Sequence, residues 1–376
     1  MRPEGRRPPH AGARALPGLN LNFQTRSKVL KILILKPSSL GDVIHALPVL
    51  RLLKRQWPES RIHWWLDARL LPLLEHDPDL DGIHAFERKR WAAPQGWLEM
   101  LASIRAMRRQ RFDLAIDLQG LARSSLFAWL ANAKKIVGLD NLREGGREGA
   151  RALYDLTPPR APALAHAVDR YLAVLPLLGV PVHWDFEWLP SRPEAAWRVR
   201  QTWAPEGERA RWIVLLPGGR WDNKRWPVQN FVELAQRLGG ISDTKLVVLG
   251  NQGERPLGEA IAAAAPGRCL NLAGSTSLDE MIEWIRLSRL TITNDTGPMH
   301  VAAALRRPVL AVFGPTNPSN TGPYGQLGNV FQATGLPCVP CLKSTCAYRD
   351  PLACLHAIKP AAVFEKARQE LARLQA

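Results

Sequence analysis

The sequence predicts an α/β protein with two doubly wound domains in tandem, and three observations support this fold class. The chain has 376 residues, which is too many for one ordinary hydrophobic core. Short, wholly apolar runs alternate with longer segments of helical periodicity, the pattern of parallel strands that helices cover on both faces. A stretch with four prolines between about residues 180 and 211 interrupts the alternation, which then starts again. We therefore expect two domains that face each other across a cleft.

The predicted elements follow from this alternation. The apolar run 32–35 is typical of a buried strand, and a loop and a helix at 42–56 follow it. Further strands are expected at 61–66 and 113–118, with a basic helix at about 100–111. In the second domain, strands are expected at 213–216, 245–249, 290–293 and 309–313, and helices at 228–238, 278–287 and 298–305.

The domain boundaries predicted from these patterns divide the chain into four parts. We expect a disordered basic tail at 1–28, a first domain at 29–185, a linker at 186–208 and a second domain at 209–376. We also consider that the last helix packs back on the first domain.

The net charge of +16 favours an acidic partner. Nucleic acid, an anionic membrane face and a phosphorylated substrate all fit this charge. Residues 1–28 contain six basic side chains and one acidic side chain, so part of the excess belongs to the predicted tail. No apolar run approaches the roughly 18 residues of a membrane span, and the basic N-terminus lacks an apolar signal core. We therefore expect a cytoplasmic protein.

The first candidate motif is Lys36-Pro-Ser-Ser-Leu-Gly-Asp42, between a buried strand and a helix. A glycine-containing turn at this point can present a polar side chain to the cleft. Asp42 is then a candidate for chemistry. The same aspartate is also well placed to cap the helix that follows, which needs no catalytic role. The spacing leaves both interpretations open.

The second candidate motif, Pro217-Gly-Gly-Arg-Trp-Asp-Asn-Lys-Arg-Trp-Pro227, also follows a buried strand and precedes a helix. Glycines, cations and a helix start suit a diphosphate. A solvated turn with its tryptophans packed beneath it is the alternative. In the third motif, Thr293-Asn-Asp-Thr-Gly-Pro-Met-His300, the proline fits a first helical position. The amides of that helix start favour an anion, and His300 falls within its first turn.

Other binding motifs are absent or weak. No G-x-G-x-x-G fingerprint follows a strand and no G-x-x-x-x-G-K-[ST] loop occurs, which argues against dinucleotide and P-loop sites. Asp77 and Asp79 have the spacing of a metal-binding pair but lie in a proline-containing loop without a suitable strand before it. Four cysteines near the C-terminus, Cys338, Cys341, Cys346 and Cys354, allow a thiolate metal site, with reduced thiols as the alternative.

Six motifs occur in a specific order and spacing. They are K-P-S-S-L-G-D-V-I-H-A-L-P at 36–48, D-L-Q-G-L-A-R-S at 117–124, A-H-A-V-D-R at 165–170, K-R-W-P at 224–227, N-D-T-G-P-M-H-V-A-A-A-L at 294–305 and F-G-P-T-N-P at 313–318. Together they resemble the bacterial lipopolysaccharide heptosyltransferases, glycosyltransferase family 9, and within this family the members that add the first heptose. The likeness extends from about residue 30 to residue 335.

The resemblance implies two facing Rossmann-like domains, the GT-B arrangement, and an inverting transfer with neither metal nor cofactor. The donor would be ADP-L-glycero-D-manno-heptose, bound by the second domain. The acceptor would be the Kdo of Kdo-lipid A, bound by the first domain. The protein would then contact the inner face of the inner membrane peripherally.

The resemblance also implies roles for single residues. Asp42 matches the general base, and Lys224 matches the lysine that neutralises the departing diphosphate. The candidate donor-binding residues are Gly41, Gly218, Arg220, Glu254, Asp295, Thr296, Gly297 and His300. The candidate acceptor-binding residues are Arg88, Lys89, Arg90 and Arg123. A solvated charged loop is the alternative for the segment 88–90.

Two alternative functions are considered. Another family member would use a different acceptor, such as a second or third heptose or another glycan. A non-catalytic protein would bind a sugar nucleotide on the same fold, but retention of Asp42 and Lys224 in their motifs argues against it. A nucleic-acid partner is not expected, because the tryptophans are scattered and do not alternate with basic residues on one surface.

Overall fold

The computed structural model describes residues 29–139, 149–159, 165–203 and 210–373. The predicted tail at 1–28 and part of the predicted linker lie outside these ranges. Two parallel sheets, each flanked by helices, confirm the predicted fold class. None of the described helices combines the length and the apolar character needed to span a bilayer.

The first sheet has five parallel strands in the order β3-β2-β1-β4-β5. In chain order they are β1 Lys31–Leu35, β2 Arg61–Asp67, β3 Gly82–Phe86, β4 Leu114–Asp117 and β5 Lys135–Gly138. The helices of this part are α1 Leu40–Gln56, α2 Leu71–Leu74, α3 Arg88–Trp91, α4 Trp97–Gln110, α5 Ala122–Leu130 and α6 Ala167–Leu172. The strand order reverses between β1 and β4, which opens a crevice at their carboxyl ends.

The second sheet has six parallel strands in the order β11-β10-β9-β6-β7-β8. They are β6 Arg211–Leu216, β7 Thr244–Val248, β8 Cys269–Asn271, β9 Leu290–Asn294, β10 Val309–Phe313 and β11 Val330–Gln332. The helices are α7 Pro193–Trp203, α8 Val228–Gly239, α9 Arg255–Ala263, α10 Leu278–Leu287, α11 Gly297–Ala304, α12 Pro318–Thr321, α13 Ala353–His356 and α14 Pro360–Arg373. Here the order reverses between β6 and β9, as in a Rossmann sheet.

The helices cover both faces of each sheet, and one apolar cluster joins the two domains. On one face of the first sheet, α1 and α6 share this cluster with α10 and α11 of the second domain. On the other face, α4 and α5 pack together over β1 and β4 in a separate cluster. In the second domain, α8, α9 and α14 cover the outer face. The cleft between the domains therefore lies beside the contact between α1 and α11.

The predicted central strands and helices are confirmed, but the four edge strands of the two sheets were not predicted. These strands are β3, β5, β8 and β11. Three of them, β3, β8 and β11, are mostly half-buried, because an edge strand has a neighbour on one side only. They therefore lack the continuous apolar run that identified the buried central strands.

Two expectations about the connections need correction. The predicted linker contains the helix α7, whose Val199 is buried and which packs against α10 of the second domain. The expectation that the last helix returns to the first domain is wrong. Helix α14 packs against α8, and its apolar face, with Val363, Ala367 and Leu371, belongs to the core of the second domain. The apolar spacing of α14 identifies a buried face but does not specify which domain buries it.

Candidate active site

A cavity of about 780 Å³ lies between the domains. Its walls come mainly from the loops after β1, β6, β7 and β9, so it includes the points at which both strand orders reverse. The structure brings together in this cavity the predicted catalytic and donor-binding residues, which are Gly41, Asp42, Gly218, Arg220, Lys224, Glu254, Asp295, Thr296, Gly297 and His300. Asp42 comes from the first domain and Lys224 from the second.

Asp42 lies in the first turn of α1 and is held by three hydrogen bonds. Its Oδ2 accepts hydrogen bonds from the backbone N–H and the hydroxyl of Ser39, each at 2.9 Å. Its Oδ1 accepts one from the Tyr171 hydroxyl at 3.1 Å and lies 3.9 Å from the Lys36 ammonium. A carboxylate accepts about four hydrogen bonds, so one acceptor position remains for a substrate hydroxyl. Both predicted roles of Asp42, helix capping and facing the cleft, are thus present in one side chain.

The charge of Asp42 is stabilised although its carboxyl is partly shielded from solvent at the cleft. Desolvation opposes ionisation, but the Lys36 ammonium and the two hydrogen bonds from Ser39 hold the pKa of the Asp42 carboxyl below its usual value. Lys36 itself is buried, with 3% of its surface exposed, and packs over the ring of Tyr171. Asp42 is therefore an ionised but weak base at neutral pH.

Two helices from different domains begin at the cavity. The first turns of α1 and α11 lie in such close contact that a Cβ on Gly297 would meet the Leu40 side chain at 2.8 Å. A Cβ on Gly41 would overlap the His300 ring, so both positions require glycine. Thr296 places no side-chain cap on the amides of α11. Two converging helix N-termini, one without a side-chain cap, make this end of the cavity attractive to anions.

Lys224 is positioned by a carboxylate at the end of β9. Its Nζ lies 2.6 Å from Oδ2 of Asp295 and 4.9 Å from the centre of the Trp221 ring. Asp295 is almost fully buried and also accepts a hydrogen bond from the Thr316 hydroxyl. Since Lys224 remains 18% exposed, its ammonium can contact a ligand in the cavity while it stays paired.

Glu254 connects the loops after β6 and β7. Its two oxygens accept hydrogen bonds from the backbone N–H of Gly219 at 3.2 Å and of Asn251 at 2.9 Å. Gly218 allows this approach, since a Cβ there would overlap the Glu254 carboxylate. Arg225 holds the same loop from the other side through the carbonyl of Gly219, at 2.8 Å. The backbone around Gly218 is thus fixed before any ligand binds.

His300 forms a hydrogen bond to His45 of the first domain. The two rings meet through His45 Nε2 and His300 Nδ1 at 2.9 Å. Burial, with the neighbouring His166 and Lys224, lowers the pKa of His300 to about 4 against the opposing charges of Asp295 and Asp42. The other nitrogen of His45, Nδ1, is buried and finds no hydrogen-bond partner among the described residues, so the favourable arrangement has His45 Nε2 as the donor. The proton of neutral His300 then resides on Nε2, which is the edge against Gly41.

Comparison with known proteins identifies the family. The model of glycosyltransferase family 9 (heptosyltransferase) matches residues 100–351, which is more than half of the chain. The chain belongs to this family. The geometry is thus that of a glycosyltransferase cleft, with a carboxylate on one wall and cations and helix-start amides on the other.

Sequence relatives and solved structures agree with this assignment. The chain is 31% identical to lipopolysaccharide heptosyltransferase 1 of Pseudomonas aeruginosa, over 85% of this chain and 88% of that protein. It is also 31% identical to lipopolysaccharide heptosyltransferase 2 of Salmonella typhimurium, over 81% of this chain and 88% of that protein. The structure of E. coli heptosyltransferase WaaC with ADP-2-deoxy-2-fluoro heptose aligns with the present structure with a TM-score of 0.69, and the two sequences are 24% identical. It covers 90% of this chain and 99% of that one. The fold of the transferase is therefore GT-B.

The predicted acceptor-binding residues lie apart from the walls of the cavity. Arg88, Lys89 and Arg90 are exposed on the short helix α3, directly after β3. Arg123 is exposed at the start of α5, and its guanidinium lies 5.8 Å from the centre of the Phe86 ring. Since β3 ends at Phe86, the four cations form one group at the carboxyl edge of the first sheet, the edge that also holds Asp42.

Neither of the candidate metal sites from the sequence is supported by the arrangement of side chains. Within the described ranges, no group of three or more His, Cys, Asp or Glu side chains is placed to hold a metal ion. Asp77 and Asp79 instead bind the buried guanidinium of Arg51, with Arg51 Nη1 at 2.6 and 2.7 Å from their oxygens. The four clustered cysteines are free thiols, and burial together with the neighbouring thiols raises the pKa of Cys354.

Sequence reasoning missed four side chains that shape the site, which are Lys36, His45, Tyr171 and Thr316. Lys36 carries a signal, since a lysine at the end of a wholly apolar strand is an unusual buried charge. His45 lies one helical turn after Gly41, on the buried face of α1. Tyr171 and Thr316 reach the site from distant segments. Thr316 lies within the motif at 313–318 and Tyr171 directly follows the motif at 165–170, but neither residue was assigned a role from these motifs.

The neutral histidines predict a loss of stability on mild acidification. Burial beside His300, His166, Lys36 and Arg170 holds the pKa of His45 well below 6.5. Between that folded value and 6.5 the unfolded chain binds a proton that the folded chain does not, so stability falls as the pH falls. We expect the Tm to drop less between pH 7 and about 5 in His45→Gln than in the wild type. The exposed His356→Gln is the control, and equal slopes in all three proteins would contradict the prediction.

Proposed function

We propose that this transferase moves L-glycero-D-manno-heptose from ADP-heptose to the Kdo of Kdo-lipid A, with inversion at the anomeric carbon. The observation that carries the proposal is the shared cavity, which Asp42 of the first domain lines together with Lys224 and the N-terminus of α11 from the second. The donor is supported by the E. coli WaaC structure with ADP-2-deoxy-2-fluoro heptose and by the sequence relatives, which are named as heptosyltransferases.

In the proposed step, the acceptor hydroxyl oxygen attacks the anomeric carbon while the bond from that carbon to the diphosphate breaks. The hydroxyl proton passes to Asp42, and ADP leaves. Because the Lys36 ammonium and Ser39 stabilise the charged carboxylate, Asp42 takes the proton late, when the attacking oxygen already carries positive charge. The hydrogen bonds from Ser39 and Tyr171 hold the carboxylate in one orientation for this transfer.

The leaving diphosphate gains negative charge as the bond breaks. Lys224, Arg220 and the amides at the start of α11 surround the space where this charge develops. Lys224 is already fixed by Asp295, so little reorganisation is needed when the charge appears. The Nε2–H group of neutral His300 donates a hydrogen bond to the bound ADP-heptose without adding a full charge. This arrangement stabilises the transition state more than the bound donor.

The identity of the acceptor is the finer part of the proposal. Relatives named heptosyltransferase 1 and 2 match at equal identity, and a second heptose is the competing acceptor. The motifs at 117–124 and 165–170 favour the first heptose. The experiment measures ADP release with ADP-heptose and either Kdo-lipid A or the same lipid that already carries one heptose. Faster release with Kdo-lipid A supports the proposal, whereas release with the heptosylated lipid alone would assign the chain to the second transfer.

The exposed cations of α3 are proposed to bind the anionic acceptor. Kdo carries a carboxylate and lipid A carries phosphates, and arginine and lysine bind both groups. We expect the Arg88→Gln/Lys89→Gln variant to raise the KM for Kdo-lipid A roughly tenfold, with the KM for ADP-heptose unchanged. Arg198→Gln, an exposed arginine of the second domain, is the matched control. An unchanged acceptor KM would remove α3 from the acceptor site.

A further inference from the structure

The first domain has an unusual concentration of exposed apolar side chains. Among the described residues, ten large apolar side chains are exposed, and five of them lie on α4 and α5. These five are Trp97, Leu98, Leu101, Leu126 and Trp129, with exposed fractions between 41% and 77%. We refer to these five side chains as the α4–α5 patch. Single exposed apolar residues are ordinary, but a group of this size on two helices indicates a binding surface.

Helices α4 and α5 present these side chains on the same side of the molecule. Ile104 and Met107 of α4 and Phe127 of α5 are buried in one apolar cluster over the first sheet. The two helices are in contact and lie on one face of that sheet. Their opposite faces therefore both point outward from this side of the domain. On α5 the outward residues are Arg123, Leu126 and Trp129, spaced by three residues along one stripe.

Basic side chains border the patch. On α4 the outward stripe continues from Leu98 and Leu101 to the exposed Arg105, Arg108 and Arg109. Arg123 on α5 and the cations of α3 add to this positive border. The acidic residues of the segment 88–130 are Glu99, which pairs with Arg90, and the buried Asp113 and Asp117. The exposed surface of both helices is thus apolar at the centre and positive around it.

We propose that the α4–α5 patch docks the transferase on an anionic lipid bilayer. Tryptophan and leucine side chains enter the headgroup region, and the arginines bind acidic headgroups, as in interfacial amphipathic helices. A protein partner of equal area would need acidic side chains to match the border. The positions of Arg88 and Arg123 also favour a lipid surface as the partner. These residues belong to the cations proposed to bind a lipid-linked acceptor, and they lie next to the α4–α5 patch. In this respect the inference rests on the proposed function.

Vesicle co-sedimentation tests the docking without any substrate. The probe is vesicles of phosphatidylglycerol and phosphatidylethanolamine, compared with vesicles of phosphatidylcholine alone. We expect binding to the anionic vesicles that weakens at high salt, and roughly tenfold weaker binding for Leu98→Ser/Trp129→Ser. The control is Trp197→Ser, a tryptophan that is 62% exposed on α7 of the second domain and should bind as the wild type does. Arg105→Gln/Arg109→Gln should lose mainly the salt-dependent part of the binding.

The outcomes separate docking from catalysis. Equal vesicle binding by the wild type and by Leu98→Ser/Trp129→Ser would overturn the inference. A wild-type protein that is dimeric in solution, with a monomeric Leu98→Ser/Trp129→Ser variant, would also overturn it. Turnover with a deacylated, water-soluble acceptor should be the same in the wild type and in this variant, since neither residue belongs to the proposed catalytic site. If the wild type fails with the soluble acceptor yet binds anionic vesicles, the proposed function fails and the docking surface stands.

Discussion

Replacing Asp42 with asparagine should lower turnover by roughly 10²- to 10⁴-fold, the usual contribution of a positioned general base. Asparagine has nearly the same shape and can still accept the hydrogen bonds from Ser39, so α1 should remain capped and folded. The amide has no basic site for the proton of the acceptor hydroxyl. The affinity for ADP should stay close to that of the wild type, since Asp42 belongs to the first domain while the donor is proposed to bind mainly to the second.

The measurements are the rate of ADP release with acceptor present and the Kd for ADP. Asp222→Asn is the matched control, since this carboxylate is 91% exposed beside Arg225 in the loop that carries Lys224. That variant should keep nearly full activity. Turnover of Asp42→Asn within a few-fold of the wild type would remove Asp42 from the mechanism. A loss of ADP affinity equal to the loss of turnover would indicate a role in donor binding instead.

The low pKa of Asp42 also predicts how the turnover rate depends on pH on the acidic side of neutrality. A carboxyl group held below its usual pKa stays ionised throughout the neutral and mildly acidic range. Protonation of Asp42 therefore does not limit the wild-type rate at these pH values. Loss of stability from the buried histidines is expected first, as the pH falls below 6.5.

The sequence predicted the strands that are covered by helices on both faces and paired with a strand on both sides. The run 32–35 and the strands at 213–216 and 309–313 are covered on both faces and paired on both sides, so they are wholly apolar and were predicted correctly. The strand Gly82–Phe86 has only one neighbour and includes three half-buried polar or small positions, so its local pattern is ambiguous. Its pairing with β2 is decided by tertiary contacts, which a local pattern does not contain.

The sequence predicted those residues of the candidate site that lie in the loops after central strands. Asp42, Lys224 and Asp295 each come after a central strand, and the carboxyl ends of these strands meet at the cleft. The contacts between segments were not predictable. The hydrogen bond from Tyr171 to Asp42 joins residues 129 positions apart, and the bond from His45 to His300 joins residues 255 positions apart. The first contact depends on how α6 packs against α1 within the first domain, and the second depends on how the two domains meet. No short-range spacing specifies either arrangement.

Replacing Lys224 with methionine should lower turnover by roughly 10²- to 10³-fold, since the lysine is proposed to stabilise the charge of the leaving diphosphate. It should also destabilise the fold, because Asp295 is almost fully buried and, of its partners in the described part of the chain, would keep the hydrogen bond from Thr316. Removing one partner of a buried ion pair leaves an uncompensated charge, at a loss of about 3 kcal/mol in the unfolding free energy. The two effects need to be separated before the rate is interpreted.

The double variant Lys224→Met/Asp295→Asn makes this separation. An uncharged amide at position 295 no longer needs a cation, so the unfolding free energy should recover most of the loss seen in Lys224→Met. Turnover should stay low, because no ammonium then faces the diphosphate. If the double variant regains both stability and turnover, Lys224 acts only as the counter-ion of Asp295. In that case the charge of the leaving group is stabilised by Arg220 and the amides of α11, which line the same cavity.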